Sequence, residues 1–378
     1  MLLLKEKNLN IDLSQLRGFR FKCLESCQLC CLCQPELLQE EVEYFLKHYG
    51  DAVCFKKRPH QHYAIKLKQN QGPCVFLVDR KCMVYDSRPH FCRQFPIHFH
   101  VLDRIQAELD LSCRGIWDNR GDDLEVFASQ LIYDKIEAFT ETLKESRKLY
   151  SEFISECRGA GLWKDPGDLR IQVNQSPEKF LDLRFLARVL ELSVEDDELN
   201  LGEIKNEESL KIESVDIVKV AMKATLDSIS VSKIVDAPVY CDDEGYWNVF
   251  MTKGSKINWC RILDDGSIEH IETIDPNSVE LLVPDQNGRR LLSKYLMMLN
   301  ERDSVLGYAC YLVDSFEYED FLSNVYFGVI GTSILDLLWR GSLLAFLKGR
   351  KLDETSVKEA IIFFDMDLLD APTIGAFV

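Results

Sequence analysis

The reading of this chain turns on CLESCQLCCLC at residues 23–33, followed later by GPCVFLVDRKCMVYDSRPHFCRQFP at 72–96. The first stretch carries Cys23, Cys27, Cys30, Cys31 and Cys33, and the second carries Cys74, Cys82 and Cys92. Cys54 lies between them and Cys113 follows, so ten of the 14 cysteines come before residue 114. Thiols this dense either close disulfides or hold a metal, and the compartment separates the two. The sequence MLLLKEKNLN places charge directly after three leucines, which is too short for the apolar core of a secretion signal. The longest apolar run, 321–346, is interrupted by Asp336 and Arg340. These sit four apart and would pair on one helical face, so a buried core helix is expected there and not a membrane span. A cytoplasmic protein is therefore expected, and in a reducing cytoplasm clustered cysteines read as metal ligands.

The 378 residues are 46% hydrophobic and carry a net charge of -17. Such a chain can build real cores, and its charge opposes general binding to nucleic acid or to anionic membrane. Neither is expected as a partner. The fold class expected is α+β. A small cysteine-rich, metal-stapled unit with bracing helices takes residues 1–160, and an α+β unit with an antiparallel meander and several helices takes 161–378.

Helices are expected at 35–49, with Pro35 in the first turn and Gly50 as a left-handed cap, and over 124–157, as one long helix or two stacked ones ended by Gly159 and Gly161. Further helices fit 177–192, 215–230, 286–300, 319–348 and 355–369. Short strands fit 62–68 and 74–78, and a hairpin fits 95–102 with 105–111. From 238 to 274 the turn signals at 242–245, 253–254 and 264–266 mark a meander. The acidic stretch 194–209 reads as an exposed loop. No glycine-rich phosphate loop, GxSxG elbow or HExxH helix is present in the sequence.

A four-coordinate zinc or an iron–sulfur cluster needs four soft ligands converging on one point. Cys23, Cys27, Cys30, Cys31, Cys74, Cys82, Cys92 and Cys113 are the candidate ligands, enough for two sites of four. Cys33 and Cys54 are spare, and Cys157, Cys241, Cys260 and Cys310 lack partners at ligand spacing and read as packed thiols. Side chains of adjacent cysteines diverge, so Cys30 and Cys31 are expected to serve different centres. The adjacent pair and the surplus of thiols favour [4Fe–4S] over zinc, with one or two centres.

The two blocks and Cys113 resemble the YkgJ-type cysteine-cluster family, also named for its CxxCxxCC motif. Cys74, Phe76, Leu77, Cys82, Tyr85, Arg88, Pro89, Cys92, Arg93, Phe95 and Pro96 match its second block, and the likeness covers about residues 19–115. In the first block three residues, not two, separate Cys23 from Cys27. The resemblance implies a zinc or iron–sulfur centre. It also implies distant kinship with flagellin lysine methylases, which carry a similar cysteine cluster.

Arg88 and Arg93 flank Cys92, and their guanidinium groups would offset the negative charge of a thiolate-held centre. His60 with His62, and His98 with His100, each put two imidazoles on one face of an extended segment. Three functions follow as expectations. The first is a metal protein for electron transfer, cluster handling or metalloenzyme assembly, working with another protein. The second is an enzyme that modifies protein side chains, and the third is a zinc-stapled interaction module.

Overall fold

The computed structural model describes residues 9–25, 27–57, 61–204, 216–369 and 371–378. Residues 1–8, Arg58, His60, residue 215 and the 205–209 end of the acidic stretch lie outside the described residues.

The organising element is the helix Leu322–Lys348. Its sequence is apolar all round, and a helix of that kind is stable only when enclosed on all sides. It is long and apolar enough to cross a membrane, yet 83% of its most apolar window is buried inside the protein. The helices Leu183–Leu192, Ile217–Ser228, Asp303–Ser315 and Glu354–Leu369 pack against it. Asp336 and Arg340 pair as their spacing requires, with Arg340 Nε donating to Asp336 Oδ1 at 2.8 Å. Asp367 adds a second carboxylate at 2.6 Å from Arg340 Nη1. A guanidinium with no exposure to water needs such partners to offset its lost hydration. Gly349, at φ +59°, ends the helix in the left-handed turn that glycine adopts without strain.

The expected hairpin forms from Ile97–Val101 and Ile105–Leu109. Ile11–Asp12 runs parallel beside its second strand, and Ala376–Phe377 runs antiparallel beside its first, so segments far apart in sequence close one sheet. Phe99 meets Phe139 edge to face at 5.0 Å on one side. On the other side Arg104 Nε donates to Asp303 at 2.7 Å, and the fully buried Arg302 reaches Leu109 O and Asp365. One core runs from Leu16 through the hairpin to Phe364.

The meander also forms, from Val239–Cys241, Trp247–Lys253, Lys256–Ile262 and Ile268–Ile274 in sequential antiparallel order. Its last turn is pressed onto the cysteine region. A Cβ on Gly72 would stand 2.2 Å from Gly266 Cα, and Lys68 Nζ donates to both Leu77 O and Asp264 O. Only residues without a side chain permit backbones to approach so closely.

Several boundaries differ from expectation. Pro35 does not begin a helix: Glu36–Leu37 pairs as a strand with Tyr63 and Ala64, and the helix is Gln39–Tyr49. Glu41 caps it by accepting from the Leu38 backbone N–H. Gly50 is right-handed, at φ -54°, because the chain winds on into a short turn at Gly50–Ala52. Of the two arrangements open for 124–157 the chain takes two helices, Leu124–Asp134 and Ile136–Ala160, meeting at Lys135, and Gly161 supplies the left-handed end as expected. Pro166–Asn174 and Asp303–Ser315 were not anticipated as helices.

Candidate metal centre

The cysteine region has little regular structure of its own. Its sheets are a three-stranded piece of Glu36–Leu37, Val53–Lys56 and His62–Ile65, and a hairpin of Leu77–Val78 with Lys81–Cys82. Gln28, left-handed at φ 49°, turns the first cysteine run into a short helical turn at Leu29–Cys31. That turn brings Gln28 Nε2 within 3.8 Å of Cys23 Sγ and Gln28 Oε1 within 3.9 Å of Cys31 Sγ. Cys74 N donates to Cys31 O at 2.7 Å, tying the second block to the first. In the second block, Asp79 and Arg80 both take positive φ to make the hairpin turn that delivers Cys82. Pro89 leads into the short helix His90–Gln94, which delivers Cys92.

As a result Cys23, Cys30, Cys31, Cys74, Cys82 and Cys92 line one cavity of about 40 Å³, with Cys33 on its wall. Six of the eight candidate ligands are therefore brought together, Cys23 included despite its altered spacing. Cys30 and Cys31 do not diverge. Both face this cavity, and the Cys31 thiol donates to Cys30, which draws Cys30 below the usual thiol value and pushes Cys31 up. Burial pushes Cys23 and Cys74 up to about 11, and raises Cys82 and Cys92 as well. Cys54 stands apart and donates to Ala64 O.

Cys27 and Cys113 do not line the cavity, and both are buried. The Cys27 thiol is drawn down to about 7, chiefly because the thiol of Cys241 donates to it. Cys241, read as a packed thiol, is thus a neighbour of the first cysteine run, 3.8 Å from Cys27 O. No spacing signal marks it, because tertiary packing between segments more than two hundred residues apart brings it there.

Arg88 lines the thiol cavity, stacks on Tyr85 at 3.7 Å and donates through Nε to Tyr85 O at 2.9 Å. Its charge acts on Cys30, Cys82, Cys92 and Cys23. Arg93 instead lies half-exposed, 3.8 Å from Glu41. Arg114, which the sequence did not single out, supplies the positive charge on the Cys27 side.

A larger cleft of about 530 Å³ adjoins the cavity, sharing Cys30, Cys33 and Cys92 with it. His98 faces this cleft with Nε2 3.2 Å from Asp110, whereas His100 is wholly buried against Thr373.

Among the described residues, no three His, Cys, Asp or Glu side chains stand at the spacing of a preformed metal site. The donor set fits a soft metal in chemistry and in convergence, since six thiols face one small space beside a guanidinium. Loading would replace S–H hydrogen bonds with sulfur–metal bonds and draw the thiols inward.

Residues 22–114, about a quarter of the chain, match the model of the CxxCxxCC family, described as a "putative zinc- or iron-chelating domain". No curated protein and no solved structure matches the chain.

Proposed function

We propose that this is a cytoplasmic metal protein whose six-thiol cavity holds a cysteine-ligated centre, a [4Fe–4S] cluster in preference to zinc. The observation that carries this is the convergence of Cys23, Cys30, Cys31, Cys74, Cys82 and Cys92 on one cavity. Six sulfurs exceed the four that a tetrahedral zinc takes, and a cluster offers several metal corners to a crowded thiol set. A bound cluster would supply one-electron chemistry. Arg88 would offset the charge of the thiolates, and the hydrogen bond to Tyr85 O holds it in place.

The roles that fit are electron transfer, cluster handling or assembly of another metalloenzyme, with a protein partner approaching through the adjoining cleft. Anaerobic purification followed by iron, zinc and sulfide analysis tests the reading. Iron with matching acid-labile sulfide supports it, whereas zinc without sulfide leaves only a zinc-stapled module.

The cleft favours a second reading, an enzyme that modifies protein side chains. His98, backed by the buried carboxylate of Asp110, is placed to move a proton for a substrate lying there. Equal turnover by the wild type and a His98→Gln variant, once a substrate is found, would remove His98 from that chemistry.

A further inference from the structure

Along residues 81–93 the chain alternates between the thiol cavity and solvent. Cys82, Val84, Arg88 and Cys92 line the cavity, while Lys81, Met83, Phe91 and Arg93 are exposed. Tyr85 does both, lining the cavity and standing 49% exposed. Met83 is 67% exposed and Phe91 38%, and Phe91 also edges the larger cleft. A flexible thioether and two aromatic rings are side chains that protein interfaces favour. The guanidinium of Arg88 stacks on the Tyr85 ring at 3.7 Å, so cation and ring are presented together.

The charge of this region is opposite to that of the chain. Residues 52–94 hold nine lysines and arginines against two carboxylates, Asp79 and Asp86, in a chain whose net charge is -17. Some of these cations are engaged inside: Lys68 donates to Leu77 O and Asp264 O, and Arg80 pairs with Asp264. Lys81 and Arg88 pair with no carboxylate among the described residues. Exposed apolar side chains beside uncompensated cations call for an occupant that supplies apolar contact and negative charge together. Nucleic acid and anionic membrane carry their charge over a wide area, where the surplus carboxylates of the remaining chain oppose them. A protein can present an acidic face locally, within the roughly 8–10 Å over which exposed charges act at ordinary salt.

We propose that the outer face of residues 81–93 is a docking surface, and that its occupant is a protein with an acidic contact face around an apolar patch. Met83 and Tyr85 supply the apolar centre, and Lys81 and Arg88 the charge that steers the encounter. The surface names the partner for the centre proposed above and rests on that reading for the partner's purpose, since contact at Met83 or Phe91 is one residue from Cys82 or Cys92. The binding itself needs no metal.

The test uses full-length protein as purified, titrated calorimetrically with a small acidic [2Fe–2S] ferredoxin as the probe. Binding is expected, and it should weaken about tenfold between about 50 and 300 mM salt. Lys81→Glu and Met83→Glu should each weaken it about tenfold, while Lys81→Arg and Met83→Leu bind as wild type does, with metal content unchanged in all four. Lys223→Glu/Lys351→Glu adds more negative charge at exposed positions elsewhere and is expected to change binding little. No binding at low salt, or a loss in that control as large as in Lys81→Glu, overturns the proposal. A single-stranded oligonucleotide or phosphatidylserine vesicles bound in preference to the ferredoxin overturn the assignment to a protein. Salt-sensitive self-association of wild type that Met83→Glu abolishes overturns it too, by making a second copy the occupant. Protein that carries metal but fails these tests loses this surface only. Protein that binds the probe while holding no metal keeps the surface and loses the metal reading.

Discussion

Trp247 Nε1 donates to the carbonyl oxygen of Cys27 at 2.6 Å, so an indole from the meander fixes the backbone of the first cysteine run. Arg80, from the second block, lies over the same ring at 3.5 Å. Three parts of the chain thus meet at one fully buried side chain.

Trp247→Phe keeps an aromatic body but leaves the Cys27 carbonyl without its best donor. Loss of a buried hydrogen bond costs about 1–3 kcal/mol when one partner is stranded. Urea denaturation of the metal-free protein is expected to show a loss of that size, together with weaker metal retention. Unchanged values for both would mean that the meander does not support the cysteine run.

Gly72→Ala and Gly50→Ala are expected to act in opposite directions. A Cβ at Gly72 would meet Gly266 Cα at 2.2 Å, whereas a Cβ at Gly50 meets nothing within 4 Å. The first forces apart backbones that cannot yield, at a cost of roughly 1–3 kcal/mol. The second sits at right-handed φ -54° and removes only unfolded-state freedom, for a gain of about 0.4–1 kcal/mol. Equilibrium denaturation of the two variants checks both signs.

His100 sets part of the acid limb of stability. Burial pulls its imidazole down to about 4, with Asp303 partly opposing, so the folded protein favours the neutral ring. A depressed histidine contributes fully above its unfolded value near 6.5, and that contribution is lost as pH falls towards the folded value, by ~3 kcal/mol in all. His100→Gln is expected to flatten the stability profile between about pH 6.5 and 4 relative to wild type. The carboxylates held low by their partners, Asp303 and Asp12 among them, act only at more acid pH. An unaltered limb would show that His100 is not protonated on unfolding in that window.

The hairpin, the meander and the long core helix were legible because each follows from local pattern: alternation between turn signals, or an apolar run broken by one pairable Asp–Arg. The convergence of the cysteine blocks was legible in part, since spacing marks which residues are ligand-like. What local pattern could not show is the sorting of those residues. Cys27 and Cys30 are three apart, yet they face different spaces because Gln28 is left-handed between them. Cys241 and Arg114 came unheralded, because tertiary packing and not spacing brings them to Cys27. Pro35 misled for a related reason: its own neighbourhood suits a helix start, but a partner strand at Tyr63–Ala64 captures the next two residues.

Metal removal is expected to loosen the cysteine region before the rest. Among the described residues, 23–92 have only two- to four-residue strands and one helix longer than two turns, so few local bonds oppose the entropy of opening. From Ile97 onward the hairpin shares the main core with the C-terminal helices. Limited proteolysis of chelator-treated protein should therefore cut first between Cys23 and Cys92 and spare the hairpin. Cuts spread evenly along the chain would show that metal does not staple this region.

The most direct measurement is the iron, zinc and acid-labile sulfide content of protein purified without oxygen. Iron and sulfide in equal amounts are expected, about four of each per chain for one [4Fe–4S] cluster and about eight for two, with loss of both in Cys82→Ser/Cys92→Ser. Folded wild-type protein that holds neither iron nor zinc above trace, and takes up neither on anaerobic reconstitution, would contradict the assignment of the cysteine cavity as a metal centre.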